Sequence, residues 1–233
     1  ISFSGSAGDG HRQNTDFRNL HAFYRTRNNT PRLTWDLQAG YNRKAFGANG
    51  FYSPLFPGQF EATKTRFVSV SVNPKRVENL QLATYWRRHH DRFELFRNTP
   101  PDWYSGHNYH RSDVLGAHLR YKRITPLGIT SMGLEYRFEG IISNVLGEPM
   151  KEIIPVPGHR SAYFSHAYNR SGVSMMVEHN VYFKKLSLSG GLLAFFSSDL
   201  DRAVGLFPGI DAGWQLHPAL RWYFSANRTL RQP

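Results

Sequence analysis

Apolar and polar residues alternate without exception from Leu33 to Asn42. Leu33, Trp35, Leu37, Ala39 and Tyr41 fall on one side, and Thr34, Asp36, Gln38, Gly40 and Asn42 on the other. A side-chain period of two is that of a β-strand with one apolar and one polar face. Thr130 to Glu139 repeats the pattern, with Thr130, Met132, Leu134, Tyr136 and Phe138 opposing Ser131, Gly133, Glu135, Arg137 and Glu139. Val68, Val70 and Val72 oppose Ser69 and Ser71, and Leu220, Trp222 and Phe224 oppose Arg221 and Ser225. Leu115, Ala117, Leu119 and Tyr121 oppose His118 and Arg120. The run from Asn169 to Phe183 is less regular, because His179 falls among Val173, Met175, Val177 and Val181. No amphipathic helix of ordinary length is present, and the pattern predicts about eleven antiparallel strands.

The connections obey a second rule. "NNTPR", "NPKRVEN", "KRITPLG", "FKKL" and "LHPA" are short and turn-like, whereas "GDGHRQN", "KAFGANGFYSPLFPGQF", "RHHDRFELFRNTPPDWYSGHNYHR", "GIISNVLGEPMKEIIPVPGHRSAYFSHAY" and "SSDLDRAVGLFPG" are long. Short and long alternate strictly. In an up-and-down sheet, alternate connections lie at opposite ends, so one end is trimmed and the other elaborated. Two-faced strands with short turns at one end and long loops at the other describe an all-β, antiparallel, up-and-down transmembrane β-barrel. Lipid offers no hydrogen bonds, so each backbone group at membrane depth needs a neighbouring strand. Tyr41, Trp86, Tyr121, Trp214 and Trp222 fall near strand ends on the apolar faces, where interfacial rings are favoured. A soluble β-sandwich, including a carbohydrate-binding one, is the alternative, with the apolar face turned into a core. Several strands here reach the ~9 to 11 residues needed to cross a bilayer.

Composition narrows the reading. The chain has 233 residues, no Cys, 15% aromatics, a formal net charge of +12 and a mean hydropathy of −0.51. Disulfides and thiolate metal sites are excluded, and no apolar run reaches the ~18 to 20 residues of a spanning helix. Lys75, Arg76, Lys122, Arg123, Lys184 and Lys185 flank the short turns, while Arg87, Arg88, Arg92 and Arg97 sit near the long loops. Charge divided between both ends makes no nucleic-acid stripe; anionic lipopolysaccharide and outer-membrane lipid are the expected counter-charges. His89, His90, His107 and His110, with Asp91 and Asp102 nearby, fit no zinc spacing. Glu135 and Glu139 lie roughly 13 Å apart along a strand, too far for paired glycosidase carboxylates. They read as a charged ladder in which Arg137 offsets both acids. No G-x-S-x-G, H-E-x-x-H or P-loop occurs, so no enzyme is expected.

Four stretches then carry a family resemblance: "WDLQAGYNRKAFGANGFYSPLFPGQFEATKT", "WRRHHDRFELFRN" with "YHRSDVLGA", "GLEYRFEGIISNVLGEP", and "LFPGIDAGW" followed by "SANRTLRQP". In this order they resemble the barrel of TonB-dependent outer-membrane receptors of Bacteroidota type, nearest the vitamin B12 receptor-like members. The resemblance implies a 22-stranded barrel with an N-terminal plug, so residues 1–233 are expected to be an internal part of the barrel domain, without the plug and the last strands. No signal peptide is visible, and the "ANRTLRQP" stretch ends at Pro233, where related sequences continue.

By the same resemblance the intact protein resides in the bacterial outer membrane and imports a scarce small-molecule ligand. Cobalamin or a related corrinoid is the first expectation, and a ferric siderophore or haem the second. The TonB energy-transducing complex is the expected partner through the plug, and a surface lipoprotein is a further candidate. No resident cofactor is expected, although the resemblance admits calcium in the loops of an intact receptor. An outer-membrane enzyme or a passive porin is the alternative of another class. Loops on a rigid scaffold carry recognition. Phe46, Asn49, Phe51, Tyr52 and Phe56 in one loop, and Trp103, Tyr104, His107 and Tyr109 in the next, are the candidate ligand-binding residues. The competing reading is that these aromatics pack their own loops together.

Overall fold

The computed structural model describes residues 1–199 and 204–229. Part of the loop "SSDLDRAVGLFPG" and the end of the chain, Pro233 included, lie outside the described residues. The strands are β1 (Ser2–Gly8), β2 (Phe17–Asn29), β3 (Leu33–Gly47), β4 (Phe60–Pro74), β5 (Leu80–Glu94), β6 (Asn108–Thr125), β7 (Gly128–Ser143), β8 (Glu148–Pro155), β9 (Tyr163–Tyr182), β10 (Leu186–Ser197), β11 (Gly205–His217) and β12 (Leu220–Asn227). All belong to one antiparallel sheet, in the order β1 to β7 and then β9 to β12, with β8 paired to β9 alone. The path thus has eleven strands, the number expected, and β8 is an addition inside the longest loop. Sequence gives no hint of it, because "EPMKEIIP" has no alternation. Ala167 and His166 of β9 pair with β7 on one edge and with β8 on the other, so β8 covers the edge of β9 that β10 leaves unpaired.

Cross-strand register shows why the sheet has two faces. One row runs Trp35, Val72, Leu82, Leu119, Leu134, Met175, Ala194 and Leu206 across β3 to β11. Every member is apolar. The row beside it, on the other face, begins Asp36, Ser71, Ala83, His118, Glu135 and Ser174. The first row also climbs relative to the turns. Val72 lies two residues from the turn-side end of β4, Leu134 six from that of β7, and Leu206 eleven from that of β11. This steady stagger is the shear of tilted barrel strands.

The apolar face has no second layer against it: substantial contacts among the described elements run only between sheet neighbours. A sandwich is therefore not formed. Leu134 is 43% exposed, Met175 56% and Trp222 63%, while on the polar face Asp36 is 8%, Thr63 8% and Val114 7% exposed. A curved sheet spreads side chains on its convex side and crowds them on its concave side, so the apolar belt lies outside. Trp214 and Trp222 pair directly at the turn end. At the loop end of the belt, Arg66 lies 5.9 Å over Tyr41 and Arg88 5.5 Å over Trp86.

The concave face is polar and internally bonded. Arg25 reaches Asp36 at 2.7 Å, and Gln38 donates to the same carboxylate at 3.1 Å. Arg137 pairs with Glu139, which also takes Arg170 at 2.5 Å. The expectation that Arg137 offsets both glutamates fails in part: Glu135 instead accepts from the Tyr85 hydroxyl at 3.3 Å, because Tyr85 comes from β5, two strands away. Gly40 and Gly116 stand opposite Phe67 and Tyr85, whose rings lie over them. A Cβ would meet those rings at 2.2 and 2.3 Å, so only glycine leaves room for these cross-strand caps. His179, the exception in the β9 alternation, faces Thr130 at the turn end and shares a hydrogen bond of 2.9 Å with it.

Candidate functional site

The long connections gather at one end and are fastened to one another. Arg97, in the β5–β6 loop, donates to both oxygens of Asp16, before β2, at 2.5 and 3.0 Å, and its guanidinium lies 4.2 Å over Phe60. That cation holds the Asp16 carboxyl below the usual carboxylate range. Asn14 donates to the carbonyls of Pro57 and Gln59 at 2.8 and 2.6 Å, and Asn49 donates to the Gln13 carbonyl at 2.6 Å. Three loops far apart in sequence thus form one rigid rim.

The nominated aromatics divide between the two sides of this rim. Phe51 packs edge-on to Tyr52 at 4.8 Å, and Tyr52 to Phe93 at 5.3 Å. Phe93 and Glu61 have the register of the polar face, and the Tyr52 hydroxyl donates to Glu61. Burial and that carboxylate raise the Tyr52 pKa, so the phenol stays protonated and remains a donor. Phe51 and Tyr52, 73% and 52% exposed, therefore crown the concave side. A second chain of rings runs from Phe56 to Phe96, then through Tyr104, His107 and Tyr109 to His159. Trp103 packs edge-on to Phe96 at 5.5 Å. This chain passes through Tyr109, whose register is that of the belt side. Phe46 is paired inside β3 with Phe17, and Asn49 serves the loop fastening. Phe93, Phe96 and His159 were not nominated; only their cross-strand and cross-loop contacts reveal them.

Around Tyr109 the β7–β9 loop folds back. Val156 and Phe164 bury Tyr109, with Ile142 and Ala162 packed beside them. The His159 ring lies 4.9 Å from that of Tyr109, with Nδ1 3.3 Å from its hydroxyl and Nε2 3.5 Å from Arg92 Nη1. Burial, then Arg92 and His107, pull the His159 pKa down. Docking therefore favours the neutral ring, is at full strength above the ordinary histidine value of about 6.5, and weakens as pH falls below it. Amide exchange across residues 156–162 is expected to speed up on going from about pH 7.5 to about pH 5.5 beyond its intrinsic change. His159→Gln should flatten the excess; an excess that persists in the variant would assign it to another group.

A cleft of about 670 Å³ opens beside this docked loop, bounded by Arg43, Lys64, Arg66, Arg88, Arg92 and Arg111 among others. Of the nine nominated residues, only Tyr109 lines it. The histidines do not converge. His89 meets Thr65 at 2.8 Å on the polar side, His90 has the opposite register, and His110 meets Ser143 at 2.8 Å. Among the described residues, no three of His, Asp and Glu gather as a metal-holding group.

Comparison with solved structures finds the same fold within much longer chains. The siderophore receptor PirA from Pseudomonas aeruginosa superposes with a TM-score of 0.62 at 15% identity, over 94% of this chain and 34% of that one. The FrpB iron transporter from Neisseria meningitidis, F5-1 variant in its apoprotein form, gives 0.63 at 15% identity, over 99% of this chain and 42% of that one. The F3-3 variant of FrpB gives 0.62 at 14% identity, over 94% and 38%. The shared feature is the fold, and the chain spans between a third and somewhat over two-fifths of these structures. No protein-family model and no curated protein matches the sequence.

Proposed function

We propose that this chain forms part of the wall of a TonB-dependent outer-membrane receptor that imports a bulky, scarce metal chelate. One observation carries the reading. A single sheet bears a continuous apolar row on its exposed face and a bonded polar lining on the other, with the long loops among the described residues at one end. A contiguous apolar belt of this extent needs an apolar medium, and strands joined edge to edge satisfy the backbone within it. The wall itself performs no covalent chemistry. Its loops select, and the energised plug of the intact receptor opens the path.

Two ligand classes compete. The similar structures, a siderophore receptor and an iron transporter, support a ferric siderophore. The corrinoid reading rests on the sequence resemblance alone. Both are large, partly apolar chelates, which suits an aromatic rim. The test uses the full-length receptor. Saturable binding of a ferric siderophore or of cyanocobalamin, with uptake abolished when TonB is deleted, is the expected result, and the side-by-side comparison selects the ligand. Concentration-proportional, TonB-independent passage of small solutes would show a passive pore instead.

A further inference from the structure

We propose that the cleft on the outer wall binds the phosphorylated headgroup of an outer-leaflet glycolipid, an inference that rests on the membrane reading above. On the belt side, polarity changes abruptly toward the loops. Going up β4, Val72, Val70 and Val68 are followed by Arg66 and Lys64; going up β5, Leu82, Thr84 and Trp86 are followed by Arg88 and His90. In register, Arg66 stands directly opposite Arg88, and Arg43 directly opposite Lys64. Like charges in directly opposed positions repel, and an arrangement that repeats this in successive rows calls for an anion between them.

Two carboxylates line the cleft, Asp16 and Asp91, against nine Lys and Arg side chains, and Asp16 is already taken by Arg97 at 2.5 Å. Asp113 takes Arg88 at 2.7 Å and Arg111 at 3.4 Å, and Glu94 takes Arg92 at 2.9 Å. Arg43, Lys64 and Arg66 have no carboxylate within ion-pairing distance among the described residues. Arg66 and Lys64 lie eight and ten residues from Pro74, at the turn-side end of β4. At ~3.3 Å per residue and a tilt of ~40°, that is roughly 20 to 25 Å of height. The apolar band of such barrels is ~25 Å tall, so these cations stand where hydrocarbon gives way to headgroups.

Most of the lining has belt-side register, away from the concave side along which the transported ligand would pass. A phosphorylated lipid satisfies both halves of the surface. Its phosphates meet guanidinium forks, which bind them in bidentate fashion, while its acyl chains lie on the exposed Val68 and Leu115 just below. Free phosphate would satisfy only the upper half.

The test measures retention of diphosphoryl lipid A by the full-length protein in neutral detergent, by native mass spectrometry. The triple variant Arg43→Gln/Lys64→Gln/Arg66→Gln should bind at least about tenfold more weakly, whereas Lys75→Gln/Arg76→Gln, at the turn end, should bind as the wild type does. Arg66→Gln alone provides a milder variant, with a loss of about threefold or more. Inorganic phosphate in large excess should leave the lipid bound. Unchanged lipid binding in a triple variant that still floats with vesicles, or complete displacement by inorganic phosphate, would overturn the inference. A wild-type protein that fails to float with vesicles would overturn the membrane reading beneath it.

Discussion

Leu134→Arg is expected to destabilise the membrane-inserted protein by about 2 to 4 kcal/mol, the cost of a cation on the lipid face near the bilayer midplane. Leu134 lies six residues from Gly128, at the turn-side end of β7. That distance is roughly 20 Å along the strand and ~15 Å in height at a tilt of ~40°. Its neighbours in the row, Leu119 and Met175, offer no polar partner, and its side chain points away from the bonded concave face. Denaturant unfolding from lipid vesicles measures the change. The adjacent Glu135→Arg is expected to cost less, because that side is polar and Tyr85 is its hydrogen-bond partner. Equal and small effects at both positions would mean that the belt does not meet hydrocarbon.

Replacing Phe51 and Tyr52 together by Ala is expected to weaken capture of the transported chelate by about 2 kcal/mol, roughly thirtyfold, the scale of a lost aromatic anchor pair. Both rings are exposed, and they are braced rather than loose: Tyr52 by Phe93 and by its hydrogen bond to Glu61, and Phe51 by Tyr52. A braced aromatic loses little freedom on binding, which favours affinity. Assembly should survive, since the loop fastening uses Asn14, Asn49 and Arg97 and neither ring takes part in it. Equilibrium binding to the full-length receptor reads the effect; unchanged affinity with an intact barrel would remove this loop from the site. Trp103→Ala serves as the contrast. Its ring belongs to the chain that leads to Tyr109 on the belt side, so a smaller loss is expected.

Much of the architecture was legible because a period of two admits one interpretation over ten unbroken residues. Leu33 to Asn42 and Thr130 to Glu139 became β3 and β7 with the faces as read, and alternate connection lengths became the two ends of the sheet. What lay above the belt was not legible. Strands β5, β6 and β9 continue well into stretches that read as loop, because there both faces carry polar or aromatic residues and the alternation disappears. Hydrogen bonding to neighbours, which no single sequence displays, keeps them extended. The same loss of contrast hid β8. It also hid the division of the rim: Arg87 and Arg88 read as one basic cluster, yet they face opposite sides. The cross-strand positions of Phe93, His159 and Tyr85 depend on register, which is set across the sheet and not along the chain.

The central claim is that one face of the pleat meets lipid and the other meets water. Single cysteines at Met132, Gly133, Leu134, Glu135, Tyr136 and Arg137 of the full-length protein, reconstituted in vesicles, test it most directly. No native cysteine lies within this chain to interfere. A membrane-impermeant maleimide should label positions 133, 135 and 137 and spare 132, 134 and 136, with a lipid-dissolved reagent showing the reverse. Uniform labelling along β7, or the opposite phase, would contradict the account.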